Sequence, residues 1–239
     1  MKESIRVGLL VPSSNTSMER EFTEMIKKAE TDITLHTARM PLQKTTIDTL
    51  LRMRSHATDA AERLAHAAVD VICYGCTSGS LIHGLEYGQG ISREIQQNTG
   101  IPTVTTSEAI LKASQHLGLT SLSILTPYTE DINQKEVAFL EAAGIKVRSI
   151  NGLGIVDNLE IGRYNPENLI KFVHENAYKP EEGVFISCTN LRTLEAIPVL
   201  ESEFKAPVFS SNTASFLLVL KTLELSYNAP KFGQLLTNL

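Results

Sequence analysis

The sequence of 239 residues predicts an α/β protein of two pseudo-symmetric, doubly wound lobes, each built on a parallel four-stranded sheet. Three observations predict it. Short β-rich apolar runs alternate with longer amphipathic segments from end to end. The strand ends carry small hydroxyl and amide residues. The second half also echoes the first at a nearly constant spacing.

The strands are expected at residues 5–10, 33–39, 69–74, 103–105, 121–125, 147–150, 184–187 and 208–210. Between them lie segments such as 49–68 and 133–143, whose apolar residues recur three and four apart, the period of an amphipathic helix. Such alternation argues for parallel sheets covered by helices on both faces.

The strand ends place the site. Val11-Pro12-Ser13-Ser14-Asn15-Thr16, Cys76-Thr77-Ser78-Gly79-Ser80, Thr126-Pro127-Tyr128-Thr129, Cys188-Thr189-Asn190 and Ser211-Asn212-Thr213 each follow a strand. In doubly wound sheets the ligand crevice lies at the carboxyl ends of the strands. Hydroxyls and amides there cap helices, and the free N–H groups of a helix start favour anions. One such loop is ordinary capping; five together predict an anion-binding rim.

The echo fixes the organisation. Pro12 and Pro127 stand 115 apart, Cys76 and Cys188 112, and Pro102 and Pro207 105. A duplicated lobe with a pseudo-twofold axis accounts for this spacing. The expected lobes are residues 1–115 and 116–239, with 210–239 as a segment able to pack back on the first. Each lobe then supplies one cysteine to a shared cleft.

Composition narrows the function. The net charge of −5 leaves no basic footprint for nucleic acid or an anionic membrane. The start of the chain, Met1 to Arg6, shows no leader, and apolar stretches such as 216–220 are too short to span a bilayer. Three cysteines are few and odd in number, which predicts free thiols and a cytoplasmic protein. No G-x-x-x-x-G-K-[ST], G-x-G-x-x-G or G-x-S-x-G run is present, so neither a nucleotide cofactor nor a serine hydrolase is expected. The six histidines offer no metal-ligand spacing, and no metal is expected.

The chemistry is expected from Cys76 and Cys188. Both follow an apolar strand and precede a threonine, a place where helix N–H groups would lower a thiol pKa from about 8.5 toward neutrality. A thiolate and a thiol facing across one carbon can exchange protons on its two faces. Alternatively, one can add to an activated double bond while the other supplies the proton. Cys73 lies within Val71-Ile72-Cys73-Tyr74 and reads as core. Tyr128 offers a phenol to a carboxylate or an enolate oxygen, and Asn158 and Arg163 are weaker candidates.

The motif Gly8-Leu9-Leu10-Val11-Pro12-Ser13-Ser14-Asn15-Thr16 closely resembles the opening signature of the maleate cis–trans isomerases. So do Tyr74-Gly75-Cys76, Pro127-Tyr128 and Asp157-Asn158-Leu159-Glu160-Ile161-Gly162-Arg163. Ser187-Cys188-Thr189-Asn190-Leu191-Arg192 is most similar to the ectoine-utilisation branch, and Asp131-Ile132-Asn133 with Thr193-Leu194-Glu195 resembles arylmalonate decarboxylase. All belong to the aspartate/glutamate/hydantoin racemase superfamily. The resemblance implies the racemase-like two-lobed fold, a small carboxylate substrate, no cofactor and a homodimer as the common assembly. It implies Cys76 as nucleophile, Cys188 as proton donor, and Asn15, Tyr128 and Asn158 as carboxylate ligands. Ser13, Thr77, Ser78, Thr189 and Asn190 complete the expected substrate shell. Decarboxylases of this group keep the counterpart of Cys188 and carry glycine at the other position, so Cys76 argues against that activity. Thr77-Ser78-Gly79-Ser80 and Thr189-Asn190 are more polar than the isomerase pattern, which bears on the substrate. A racemase or epimerase of an acidic amino acid or hydantoin uses the same pair of thiols. A carboxylate-binding sensor needs neither.

Overall fold

The computed structural model describes residues 4–239; Met1, Lys2 and Glu3, the head of the segment read above as lacking a leader, lie outside the described residues. Strand β1 (Ile5–Pro12) leads through α1 (Met18–Ile26) to β2 (Ile33–Met40), then α2 (Ile47–Arg54), α3 (Ala57–His66) and β3 (Val71–Tyr74). The chain continues through α4 (Thr77–Leu81), α5 (Leu85–Thr99), β4 (Thr103–Thr105) and α6 (Thr106–His116). The second set follows as β5 (Ser121–Thr126), α7 (Glu130–Ala142), β6 (Lys146–Gly152), α8 (Asn158–Arg163) and α9 (Pro166–Asn176). It closes with β7 (Val184–Ile186), α10 (Ile197–Phe204), β8 (Val208–Ser210) and α11 (Ser211–Thr222).

Two parallel sheets form, in the orders β2-β1-β3-β4 and β6-β5-β7-β8. The second repeats the first with every strand number raised by four, so the pseudo-symmetric α/β fold expected from the spacing is present. The strands lie where the sequence places them: the inner ones are apolar runs closed by Pro, Gly or a capping residue, while the edge strands β2 and β6 are mixed in polarity and largely half-exposed.

The helix expected over 49–68 is instead two helices, and this is a correction. The first begins earlier, where Thr46 and Thr49 form a reciprocal capping box. It ends where Ser55 Oγ bonds back to the Arg52 carbonyl at 2.8 Å, after which the chain turns and restarts at Ala57.

The last helix of each sheet unit links the two halves. Thr105 and Ser210 end the equivalent strands β4 and β8 and cap α6 and α11 with matching boxes. The two helices pack against each other, and α11 also touches β3, β4 and α1. One apolar core therefore runs through both sheets, from Val7, Leu9 and Val71 to Leu122, Phe185 and Phe209. Phe216 of α11 meets Phe22 of α1 edge-on at 5.3 Å between ring centroids. Among the described residues no helix is long and apolar enough to cross a membrane.

Candidate active site

The carboxyl ends of β1, β3, β5, β7 and β8 converge where the two sheets face each other. Cys76 follows β3 and is the cap residue of α4; Cys188 follows β7. Both are almost fully buried, at 4% and 5% exposure, and both are free thiols.

One hydroxyl ties the two cysteine loops together. Ser211 Oγ accepts from Thr77 Oγ1 at 2.8 Å and from the Cys188 backbone N–H at 3.0 Å. Thr189 Oγ1 donates to the Gly75 carbonyl at 3.1 Å, so Thr189 is bonded directly to the loop of Cys76, and Thr77 reaches Cys188 through Ser211. Cys188 holds φ at +108°, a conformation that costs a non-glycine residue about 1–3 kcal/mol and persists only when the surroundings enforce it. The bonds from Cys188 N–H to Ser211 and from Asn190 N–H to Cys188 Sγ, at 3.3 Å, supply that enforcement.

The burial that brings the thiols together also reverses the expected direction of their pKa values. Desolvation pushes Cys76 up to about 12 and Cys188 up to about 11. The Gly79 N–H and the Ser78 side chain oppose this at Cys76, while the Tyr128 hydroxyl and the Asn190 and Leu191 N–H groups oppose it at Cys188. These donors are outweighed, and α4, at five residues, is too short to add a strong macrodipole.

The predicted shell falls into three groups. Thr77, Ser78, Tyr128 and Thr189 are buried beside the cysteines. Asn15 and Asn158 are buried too, but are partly engaged by protein. Asn15 Oδ1 caps α1 by accepting from Ser17 and Met18 N–H at 3.0 Å each, and its Nδ2 donates to Thr189 Oγ1 at 3.1 Å. Asn158 Nδ2 donates to Ser14 Oγ at 2.8 Å. Asn190 is a clamp between the halves: its amide oxygen takes the Thr16 N–H at 2.8 Å, and its Nδ2 donates to the Asn158 carbonyl at 2.6 Å. Ser13 is apart from the rest. It is exposed, bonds Leu42, and lines a surface cavity of about 410 Å³ with Lys44, Arg52 and His56. The turn after β1 sends Ser13 outward and Ser14 inward. Arg163 is exposed, and Cys73 is core, pushed up to about 12 by burial.

Residues distant in sequence complete the site. Glu21 of α1 is buried and accepts from Thr193 N–H, Thr193 Oγ1 (2.9 Å), Leu194 N–H (3.0 Å) and Asn212 Nδ2 (2.7 Å), which anchors the loop after Cys188 to the first sheet unit. Asn212 Nδ2 also donates to the Thr189 carbonyl at 3.1 Å. Of these, Ser211 and Asn212 had a sequence signal in their strand-end pattern; Glu21 reads as an ordinary surface helix residue. Gly79 is required for contact reasons. A Cβ on it would lie 2.9 Å from Cys76 Sγ and 2.8 Å from Met53 Cε. Gly79→Ala is expected to displace the sulfur and lower kcat by up to about 10²-fold with little change in thermal stability. An unaltered kcat in steady-state assays would contradict this placement.

Comparison with known proteins decides the family. The family model described as arylmalonate decarboxylase matches residues 7–236, nearly the whole chain.

The chain belongs to the arylmalonate decarboxylase family.

Similar proteins also carry another name. A maleate isomerase of Geobacillus stearothermophilus is 29% identical over 248 residues, covering 99% of each chain. A maleate isomerase of Alcaligenes faecalis is 30% identical over 247 residues, covering 98% of this chain and 97% of its own. Among solved structures, a cysteine-to-alanine variant of the maleate isomerase Iso from Pseudomonas putida S16 with maleate superposes with a TM-score of 0.94 at 27% identity. It covers 99% of this chain and 98% of that one. The resemblance read from the motifs, to maleate isomerases and arylmalonate decarboxylase together, is borne out by both comparisons.

Proposed function

We propose that the protein is a cofactor-independent isomerase of a small dicarboxylate, with maleate to fumarate as the leading reaction. The observation that carries this reading is the pair of enclosed cysteines, one after β3 and one after β7, bonded into each other's loops through Ser211. Two relatives named maleate isomerase, similar over nearly their full length, support it.

In this reading the Cys76 thiolate adds to one alkene carbon, and the electron pair moves toward the other carbon and its carboxylate. The Cys188 thiol protonates that carbon, giving a succinyl thioether and a Cys188 thiolate. The former double bond is now single and rotates. Cys188 takes a proton back, the carbon–sulfur bond breaks, and fumarate leaves with Cys76 again a thiolate. Asn15, Tyr128 and Asn158 hold the carboxylates and Ser78 offers a hydroxyl, while Thr77 and Thr189, whose protons go to Ser211 and the Gly75 carbonyl, hold the two cysteine loops in place. The inward-facing Ser14 takes the place expected of Ser13, and Asn190 acts through its backbone N–H on Cys188. Decarboxylation needs only the second thiol, so the presence of Cys76 favours isomerisation.

Incubating the reduced protein with maleate in deuterated buffer, followed by proton NMR, tests the assignment. Fumarate is expected to accumulate. No turnover of maleate, with deuterium exchange into an acidic amino acid or a hydantoin instead, would replace it with the racemase reading.

A further inference from the structure

A thiolate at Cys76 is required by the proposed reaction, and enclosure works against it. The groups that favour its charge are one backbone N–H and one serine side chain. A further donor within reach of the sulfur, and not already engaged, would offset the lost solvation.

Tyr74 offers such a donor: it is unengaged and stands beside the sulfur. It ends β3 in register with Leu10 and Thr105, two residues before Cys76, and it is fully buried. Its Oη has no hydrogen-bond partner among the described residues. Leaving a buried hydroxyl unpaired costs about 1–3 kcal/mol, so such a group calls for an explanation. The Cβ position on Gly79 that lies 2.9 Å from Cys76 Sγ lies 3.2 Å from Tyr74 Oη. Sulfur and phenol therefore flank the same point of backbone and share one small space with the Met53 methyl. The other titratable groups around this space are Tyr87 of α5, Arg54 of α2 with its partner Glu94, and Cys188.

We propose that Tyr74 is a catalytic residue whose phenol donates a hydrogen bond to the Cys76 sulfur when that sulfur is charged, and stands unbonded while the thiol is neutral. The proposal rests on Cys76 as the nucleophile. Hydrogen bonds to reacting groups are often long or absent in the free enzyme and tighten on reaction. No proton is transferred: burial pushes the phenol's own ionisation well above its usual range, so it remains a donor. Each cysteine then has its own tyrosine, Tyr128 for Cys188 and Tyr74 for Cys76. Gly79 leaves room for the sulfur to approach the phenol.

The test reads thiolate formation and not turnover, so it is independent of the substrate assignment. In a Cys188→Ala background, alkylation of Cys76 by iodoacetamide is followed by peptide mass spectrometry across a pH series, with and without Tyr74→Phe. The same is done for Cys188 in a Cys76→Ala background, which cancels changes in access to the site. Tyr74→Phe is expected to slow Cys76 alkylation about tenfold at a fixed pH below its midpoint, because a tenfold smaller thiolate fraction reacts, and to leave Cys188 unaltered. An unchanged Cys76 profile, or equal slowing of both thiols, would overturn the proposal. So would a rise in KM for maleate with the Cys76 profile unmoved, which would make the phenol a substrate ligand. Should Tyr74→Phe fail to fold, 3-fluorotyrosine at position 74, a more acidic donor of nearly the same shape, is expected to speed Cys76 alkylation; no change would overturn the assignment.

Discussion

Replacing Cys76 with serine is expected to lower kcat for maleate by about 10⁴-fold or more, the loss typical of removing a nucleophile from an otherwise intact site. Cys188→Ser is expected to cost about 10²–10⁴-fold, the range for loss of a positioned proton donor. The two effects will not add. Without the thioether there is no single bond to rotate, and without the Cys188 thiol the thioether, once protonated, is not deprotonated at a useful rate, so it forms but does not turn over. The double variant should therefore be no slower than Cys76→Ser alone, and steady-state rates of the three proteins check this. The Ser211 hydroxyl that joins the two loops remains in each variant, so geometry is preserved while the sulfurs are removed singly.

A pH dependence of stability is the second large effect, and it arises from Glu136. This residue of α7 is fully buried, and neither carboxylate oxygen has a hydrogen-bond partner among the described residues. Burial pushes it from 4.5 up to about 7, with the nearby Ser187 only partly opposing. As pH rises from 4.5 to about 7 the unfolded chain releases this proton while the folded protein keeps it. The folded state then binds more protons, so stability falls through that window. Above about pH 7 the loss is complete, at about 3 kcal/mol. Glu136→Gln removes the titration. Urea unfolding of both proteins at a series of pH values should show the variant gaining about 3 kcal/mol relative to the parent between the two limits. A constant difference would mean that the carboxyl is solvated or paired in solution.

Much of this fold is legible in the sequence for a plain reason. Strands such as Val71–Tyr74 and Val184–Ile186 are buried on both faces, so their apolar runs and polar ends are written locally. The repeat of strand order follows from the matched prolines and cysteines. The break between α2 and α3 is not legible, because Ser55 and His56 carry no breaker signature. Only the hydroxyl's bond back to Arg52 shows why the helix stops.

The site divides in the same way. Cys76, Cys188, Thr77, Ser78, Tyr128 and Thr189 stand at strand ends and declare themselves. Glu21 meets Thr193 across 172 positions, and Thr77 meets Ser211 across 134, contacts that no local pattern encodes. Tyr74 and Glu136 look like ordinary strand and helix residues until the structure shows their polar atoms buried without partners. The thiol pKa values went the other way for a related reason. A strand-end position alone predicts stabilised thiolate, but enclosure by both sheets removes solvent, and that outweighs the few N–H groups present.

The central claim is that Cys76 bonds covalently to an alkene carbon of maleate, and trapping that bond tests it most directly. The Cys188→Ser variant, incubated with maleate, quenched and measured by intact and peptide mass spectrometry, should gain the mass of one maleate, located on Cys76. No adduct in that variant, with Cys76 unmodified while the parent protein converts maleate to fumarate, would contradict the account.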